Sequence, residues 1–360
     1  TNKLGGAVRI NSTECHPSFD NCKFENCEAY RGGAVYSDCA YTSGSIDFNK
    51  CEFTGCYSPE EGACVDIWST ASVTYNFTDC SFHDNNSPWG ALYCNNGNSS
   101  YRTTVNVTGG DFTRNIGQVL NNTSFDNGAA LYPSTRATFN VSGVRVEGNV
   151  ANNGPAVFLA AETAICNCED CEFIENEAKT NGGVIFANAN TTQFYCNSSV
   201  FDSNKAKAGA VYNIVDKKNT LTAYFNGSVF KNNYWTDAYG SLIPIRSDIT
   251  GVDIAFNNCS FFDNYLDGNI SNRWQSCWFN LNNFTGKILF TNSTIWGFPD
   301  ITGQVTDGQN NKTWGFLRFN TTSTGEVYLV NDVFANTQKD ARAFTMYQNY
   351  TLNTDYSVLS

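Results

Sequence analysis

Along this chain short runs of alternating apolar and polar residues recur, each closed by Asn, Gly or Asp. Aligned on a shared aromatic, the runs give a first apolar column of Phe24, Phe53, Phe82, Phe112, Val146, Phe173, Phe201, Phe230 and Phe261. Five positions earlier lies a second column, Phe19, Phe48, Phe77, Val107, Val141, Cys168, Cys196, Phe225 and Phe256. Two positions before that, Ile46, Tyr75, Val105, Phe139, Phe194 and Ile254 make a third. Period-two alternation inside each copy predicts a strand with one buried face. Between the copies a small-residue motif recurs, as GGAVR from Gly5, GGAVY from Gly32, EGACV from Glu61, WGALY from Trp89 and GGVIF from Gly182, mostly 26 to 31 residues apart.

Units this short cannot bury a face alone, but stacked as coils of a β-solenoid they can, with like residues laddered ~4.8 Å apart. A β-propeller is excluded because its blades need ~40 or more residues. The expected fold is therefore all-β, a right-handed parallel β-helix of about twelve coils of roughly 28 residues. It occupies 1–360 as one domain, with longer loop insertions near 95–125 and 265–312. The glycines fit where the coil wall turns tightly. The Asn closing each FxxN (Asn176, Asn204, Asn233) reads as a left-handed turn residue whose amide ladders with its neighbours.

The alternation of GGA[VIL] with FxxN, seen in GGAV at Gly5 and Gly32 and in FIEN, FDSN and FKNN at Phe173, Phe201 and Phe230, resembles the repeats of chlamydial polymorphic membrane proteins. It also resembles the wider right-handed β-helix, or pectin-lyase-like, superfamily. The resemblance implies a surface-exposed adhesin of the autotransporter-passenger kind. The chain departs from that pattern in having no C-terminal barrel segment and in its dense glycosylation sequons.

Those sequons begin at Asn11, Asn76, Asn85, Asn98, Asn106, Asn121, Asn122, Asn140, Asn190, Asn197, Asn226, Asn258, Asn269, Asn283, Asn292, Asn311, Asn320 and Asn349. They number roughly twice what residue frequencies alone produce, which points to a secreted N-glycoprotein. Asn76, Asn106 and Asn140 share one outward position, where stacked glycans would be crowded.

The 15 cysteines agree with an oxidising compartment, and their odd number leaves at least one without an internal partner. Cys22 and Cys51 share one repeat position, Cys27 and Cys56 another, and Cys168 and Cys196 the second column. Stacked rungs bring such pairs inside disulfide range, so rung-to-rung bridges are expected. Zinc at Cys166, Cys168 and Cys171 is the competing reading, without a second CxxC or a nearby His.

Net charge is 22 − 34 = −12, which repels phosphate backbones and argues against nucleic acid. No run approaches the ~18 apolar residues of a membrane span. A basic, then apolar, leader is also missing, and the chain opens on core-like Leu4 to Ile10, so it reads as a fragment of a longer protein or a processed chain. Catalysis is not expected. Of the polygalacturonase motifs only NTD occurs, at Asn353 to Asp355, and His16 and His83 are isolated. The acidic run Glu162, Glu169, Asp170, Glu172, Glu175, Glu177 reads as a solvated face that leaves room for weak calcium binding; no cofactor is expected beyond covalent N-glycans.

The resulting expectation is an extracellular, cell-surface structural protein, assembling with copies of itself end to end as a filament. The alternative is an adhesin for a host or matrix ligand, with Tyr234 to Tyr239 and Trp274 to Phe279 as its aromatic patches. A polysaccharide-active enzyme comes third.

Overall fold

A computed structural model describes residues 3–11, 16–40, 44–161, 163–188, 191–214, 221–237, 240–245, 252–267, 277–281, 284–297, 315–319, 325–335, 344–345, 351–355 and 357–359. Regular structure among them is strand, arranged as a parallel β-solenoid. Each coil gives one strand to each of three sheets. The first sheet runs from Val8–Ile10 to Phe344–Thr345, the second from Ser18–Asp20 to Thr351–Asp355, and the third from Lys23–Glu25 to Val358–Leu359. A fourth sheet of five strands, Val150–Asn153 to Tyr265–Leu266, lines one side of the middle coils.

Regular coils number about nine, not the twelve expected. Each of the three main sheets has twelve strands, but the fourth sheet ends at Tyr265–Leu266 and the internal amide ladder ends at Asn264. Pairing continues beyond that point while the repeat that defines a regular coil does not. The longer connection after Asp111–Thr113 leads to Leu131–Pro133, and most of 265–312 lies outside the described residues.

The three apolar columns face the interior in register. Phe53 pairs with Phe82 and Phe82 with Phe112, Phe48 with Phe77, and Ile46 with Tyr75. In-register stacking sets ring centroids 4.7 Å apart for Phe53–Phe82 and 4.8 Å for Phe48–Phe77, with the rings nearly parallel. This is the strand spacing expressed in side chains. Trp235, Trp278 and Phe279 are fully buried and supply core, whereas Tyr234 is half-exposed and stacks on the exposed Tyr265; Tyr239 and Trp274 lie outside the described residues.

Two corners turn each coil around this core, and each uses a left-handed residue followed by a ladder residue. After the second sheet the left-handed positions include Asn21, Lys50, Asp79, Asp170, Ser198, Asn258 and Asn292. After the third they include Asn26, Asp84, Arg114, Glu175, Ser203, Asn232 and Asp263. The left-handed residue thus precedes the Asn of FxxN, which corrects the expectation that the Asn itself adopts this conformation. One residue at positive φ reverses the chain, and the next side chain then points inward, where its amide ladders. Asn149 shows the pattern. Its Nδ2 donates to Phe112 O at 2.9 Å and to Asn176 Oδ1 at 3.0 Å, while its Oδ1 accepts from Asn115 N and Nδ2. The ladder runs Asn85, Asn115, Asn149, Asn176, Asn204, Asn233, Asn264. At the third turn Gly33 is required, since a Cβ there would lie 2.1 Å from Ala63 O on the next coil.

Candidate functional site

The second sheet's outer face carries two parallel ranks of polar side chains, because alternation sends every other residue outward. One rank is Asp47, Asn76, Asn106, Asn140, Asn167, Tyr195 and Tyr224 on successive strands. The other, two residues on, includes Asn49, Thr78, Thr108, Ser142, Glu169 and Asn197. Between them lies a groove of about 560 Å³ that spans Asn76 to Asn197 along the rod.

Within the groove the amides are already aligned. Asn76 Nδ2 donates to Asp47 Oδ1 at 2.7 Å, Asn106 to Asn76 at 2.8 Å, Asn140 to Asn106 at 2.9 Å and Asn167 to Asn140 at 2.8 Å. Each ladder bond uses one of the two hydrogens on its Nδ2, leaving the other for a ligand. Among the described residues the hydroxyls of Thr78, Thr108 and Ser142 make no side-chain hydrogen bond, so they present donors and acceptors together. At one end the Tyr195 ring leans against Tyr224, centroids 5.5 Å apart. Tyr224 Oη donates to Asp253 at 2.7 Å, and that bond pushes its phenol up to about 12, so it remains a neutral donor near pH 7. The groove therefore offers amides and hydroxyls at the rung period and closes on an aromatic platform. Its charge is acidic, from Glu169 with Asp47 and Asp253 alongside.

Sequons fall into distinct environments. Asn76, Asn106 and Asn140 line the groove, half-buried, and stack as expected. Asn85 is the first amide rung of the core, only 1% exposed. Asn11, Asn121, Asn122, Asn197, Asn226, Asn258 and Asn292 are exposed, and Asn98 is half-exposed. Asn190, Asn269, Asn283, Asn311, Asn320 and Asn349 lie outside the described residues.

Cys168 and Cys196 are direct register partners on adjacent strands of the second sheet. Cys22 and Cys51, and Cys27 and Cys56, follow their columns on the first two coils. None of these pairs is bridged; the described cysteines are thiols. Cys51 Sγ donates to Phe19 O at 3.2 Å and Cys56 Sγ to Phe24 O at 3.5 Å, and each also lies within interaction range of its rung partner's thiol, Cys22 and Cys27. Cys166 and Cys168 approach to 3.7 Å between sulfurs. Among the described residues no three Cys, His, Asp or Glu side chains converge as a metal site. The acidic run is dispersed, Glu172 pairing with Arg145 and Glu177 with Lys179 and Lys205.

One polar cluster carries no sequence motif. Arg31 joins Glu61 and Asp66 on the first sheet's outer side, its guanidinium 4.7 Å from the Trp68 ring. Asp66 is fully buried, and burial outweighs Arg31 in raising its carboxyl well above the usual range. Burial likewise pushes Glu61 up to about 6 against the opposing pull of Arg31. This cluster is filled by its own side chains and closes around Tyr93 and Tyr132.

Comparison with protein-family models, with curated proteins and with solved structures gives no match. The likeness to chlamydial repeats thus stands on its tetrapeptides, while the solenoid stands on the coordinates.

Proposed function

We propose that this protein is an extracellular adhesive rod whose second-sheet groove holds an extended, hydroxyl-rich neutral ligand such as a linear oligosaccharide. One observation carries the reading: amides and hydroxyls with unused hydrogen-bonding capacity repeat along a groove that ends at Tyr195. Sugars match such a surface because each ring offers hydroxyls to amides and an apolar face to an aromatic ring. The acidic groove, on a chain of net charge −12, disfavours polyanions. Of the two extracellular readings expected from the sequence, filament subunit and adhesin, the groove favours the adhesin. Secretion is supported by the sequon density and cysteine count. Kinship with the chlamydial and pectin-lyase-like β-helices is part of the same reading, supported by GGAV at Gly32 and FIEN at Phe173.

The test is binding to an immobilised panel of neutral and acidic linear oligosaccharides. Neutral members are expected to bind, with a loss of about tenfold in Tyr195→Ala, the scale of one lost aromatic contact. Equal binding of acidic members, or a Tyr195→Ala variant that binds unchanged, would contradict the proposal.

A further inference from the structure

We propose that N-glycans occupy one convex corner of the rod, at Asn197, Asn226, Asn258 and Asn292, and are excluded from Asn85 and from Asn76, Asn106 and Asn140 inside the groove. This inference rests on the extracellular reading above and assigns its modification sites. These four sequons lie on four successive coils at the same corner, where the second sheet turns into the third. Asn197 and Asn226 stand just before the left-handed residues Ser198 and Gly227, whereas Asn258 and Asn292 are the left-handed residues themselves. All four are exposed. The amide nitrogens of Asn197, Asn226 and Asn258 donate no hydrogen bond among the described residues, and Asn292 Nδ2 donates one, to Asn257 at 3.4 Å.

N-glycosylation transfers an oligosaccharide from a lipid pyrophosphate donor. The Nδ2–C1 bond forms, the C1–O bond to pyrophosphate breaks, the lipid pyrophosphate leaves, and one amide hydrogen is lost as a proton. A modified Asn therefore keeps a single N–H. Asn85 needs both, since its Nδ2 donates to Phe53 O at 3.0 Å and to Asn115 Oδ1 at 2.9 Å in a closed core. A glycan there is incompatible with the fold. At Asn76, Asn106 and Asn140 one hydrogen remains, and the obstacle is space. There each residue is half-buried between the two ranks of the groove and its amide is tied to the previous rung, whereas the four corner residues are exposed. Asn197 also lines the groove, so its glycan marks where the free face ends and the covered one begins.

The experiment is site-by-site occupancy by glycopeptide mass spectrometry on the full chain, secreted and folded, from a eukaryotic host. The expected result is high occupancy at Asn197, Asn226, Asn258 and Asn292 and none at Asn85, Asn106 or Asn140. Occupied Asn85 in folded protein, or an occupied groove beside an empty corner, overturns the assignment while leaving the extracellular reading intact. No glycan at any sequon overturns both. A paired measurement guards against misfolding: Ser228→Ala and Ser260→Ala, which delete the sequons of Asn226 and Asn258, should each remove one glycan mass. Replacing Thr108 by Ala in the groove should remove none, and a lost glycan there counts against the proposal.

Discussion

The same corner of the solenoid is built in two ways. In the first two coils the inward ladder position is Cys27 and Cys56; from the third onward it is Asn, from Asn85 to Asn264. An amide links three coils, donating backward to a Phe carbonyl and forward to the next amide while accepting from the one behind. A thiol has one hydrogen to donate, so it serves one carbonyl at a time even where two lie in range, as Phe24 O and Thr54 O do for Cys56. Cys56 meets Phe24 O at 3.5 Å, and Cys27 turns within its own coil to Glu25 O at 3.7 Å. Position in the repeat thus determines that a polar group points inward, and its chemistry determines how many coils it ties together. The amides therefore tie more coils together than the thiols do.

The largest expected effect breaks the amide side of this contrast. Asn149→Ala removes one of the bonds to the Phe112 carbonyl and strands the backbone N–H and one side-chain N–H of Asn115 in the core. At about 1–3 kcal/mol for each unsatisfied buried group, the loss should reach about 3 kcal/mol or more in urea unfolding. Cys27→Ala in reduced protein should lose less than about 1 kcal/mol. Equal losses at the two sites would break the comparison.

Oxidation sharpens it next. Closing Cys27 and Cys56 across one coil should raise stability by about 2–4 kcal/mol, read as the difference between unfolding curves with and without reductant. The Cys27→Ala variant should show no such difference. Non-reducing peptide mapping gives the same answer directly for Cys27–Cys56, Cys22–Cys51 and Cys168–Cys196.

A smaller effect is electrostatic. Glu61 and Asp332 are both raised to about 6 by burial, so folding favours their protonated forms. Below the ordinary carboxylate range both states are protonated and no penalty exists; it grows as pH rises and is complete above about 6. Stability should therefore increase as pH falls from 7 to 5, by about 1 kcal/mol for Glu61 alone, with the rest of the gain below pH 5. Glu61→Gln should flatten that slope in thermal unfolding. Asp84, Glu147, Glu177 and Asp202 are shifted down by their cationic or amide partners, and they reverse the trend only at lower pH. The smallest effect belongs to the exposed pair Arg114–Asp84, where Arg114→Ala should leave the thermal unfolding midpoint unchanged within error.

The three core columns were legible because aromatic side chains repeat at fixed offsets, and strand stacking converts that offset directly into register. The stack of Asn76, Asn106 and Asn140 was legible for the same reason. Its meaning as half of a groove was not, since Asn167 and Tyr195 occupy the same rank without completing a sequon. The alternation N-x-T that builds the two ranks also writes a sequon, so one pattern carries two readings. Left-handed corner residues escaped because Lys50, Arg114 and Glu175 bear no turn signature; the position and not the residue type sets their φ. Arg31, Glu61 and Asp66 meet only because stacking brings separate coils together. The coil count was overestimated because the apolar motif outlasts the amide ladder that makes a coil regular.

The most direct measurement is a crystal structure of the protein soaked with a neutral linear oligosaccharide selected from the binding panel. The account predicts sugar rings along the second sheet between Asn76 and Tyr195, with one ring against the Tyr195 face and hydroxyls on the Asn106 and Asn140 amides. Ligand bound instead on another face of the rod, with this groove left to solvent, would contradict it.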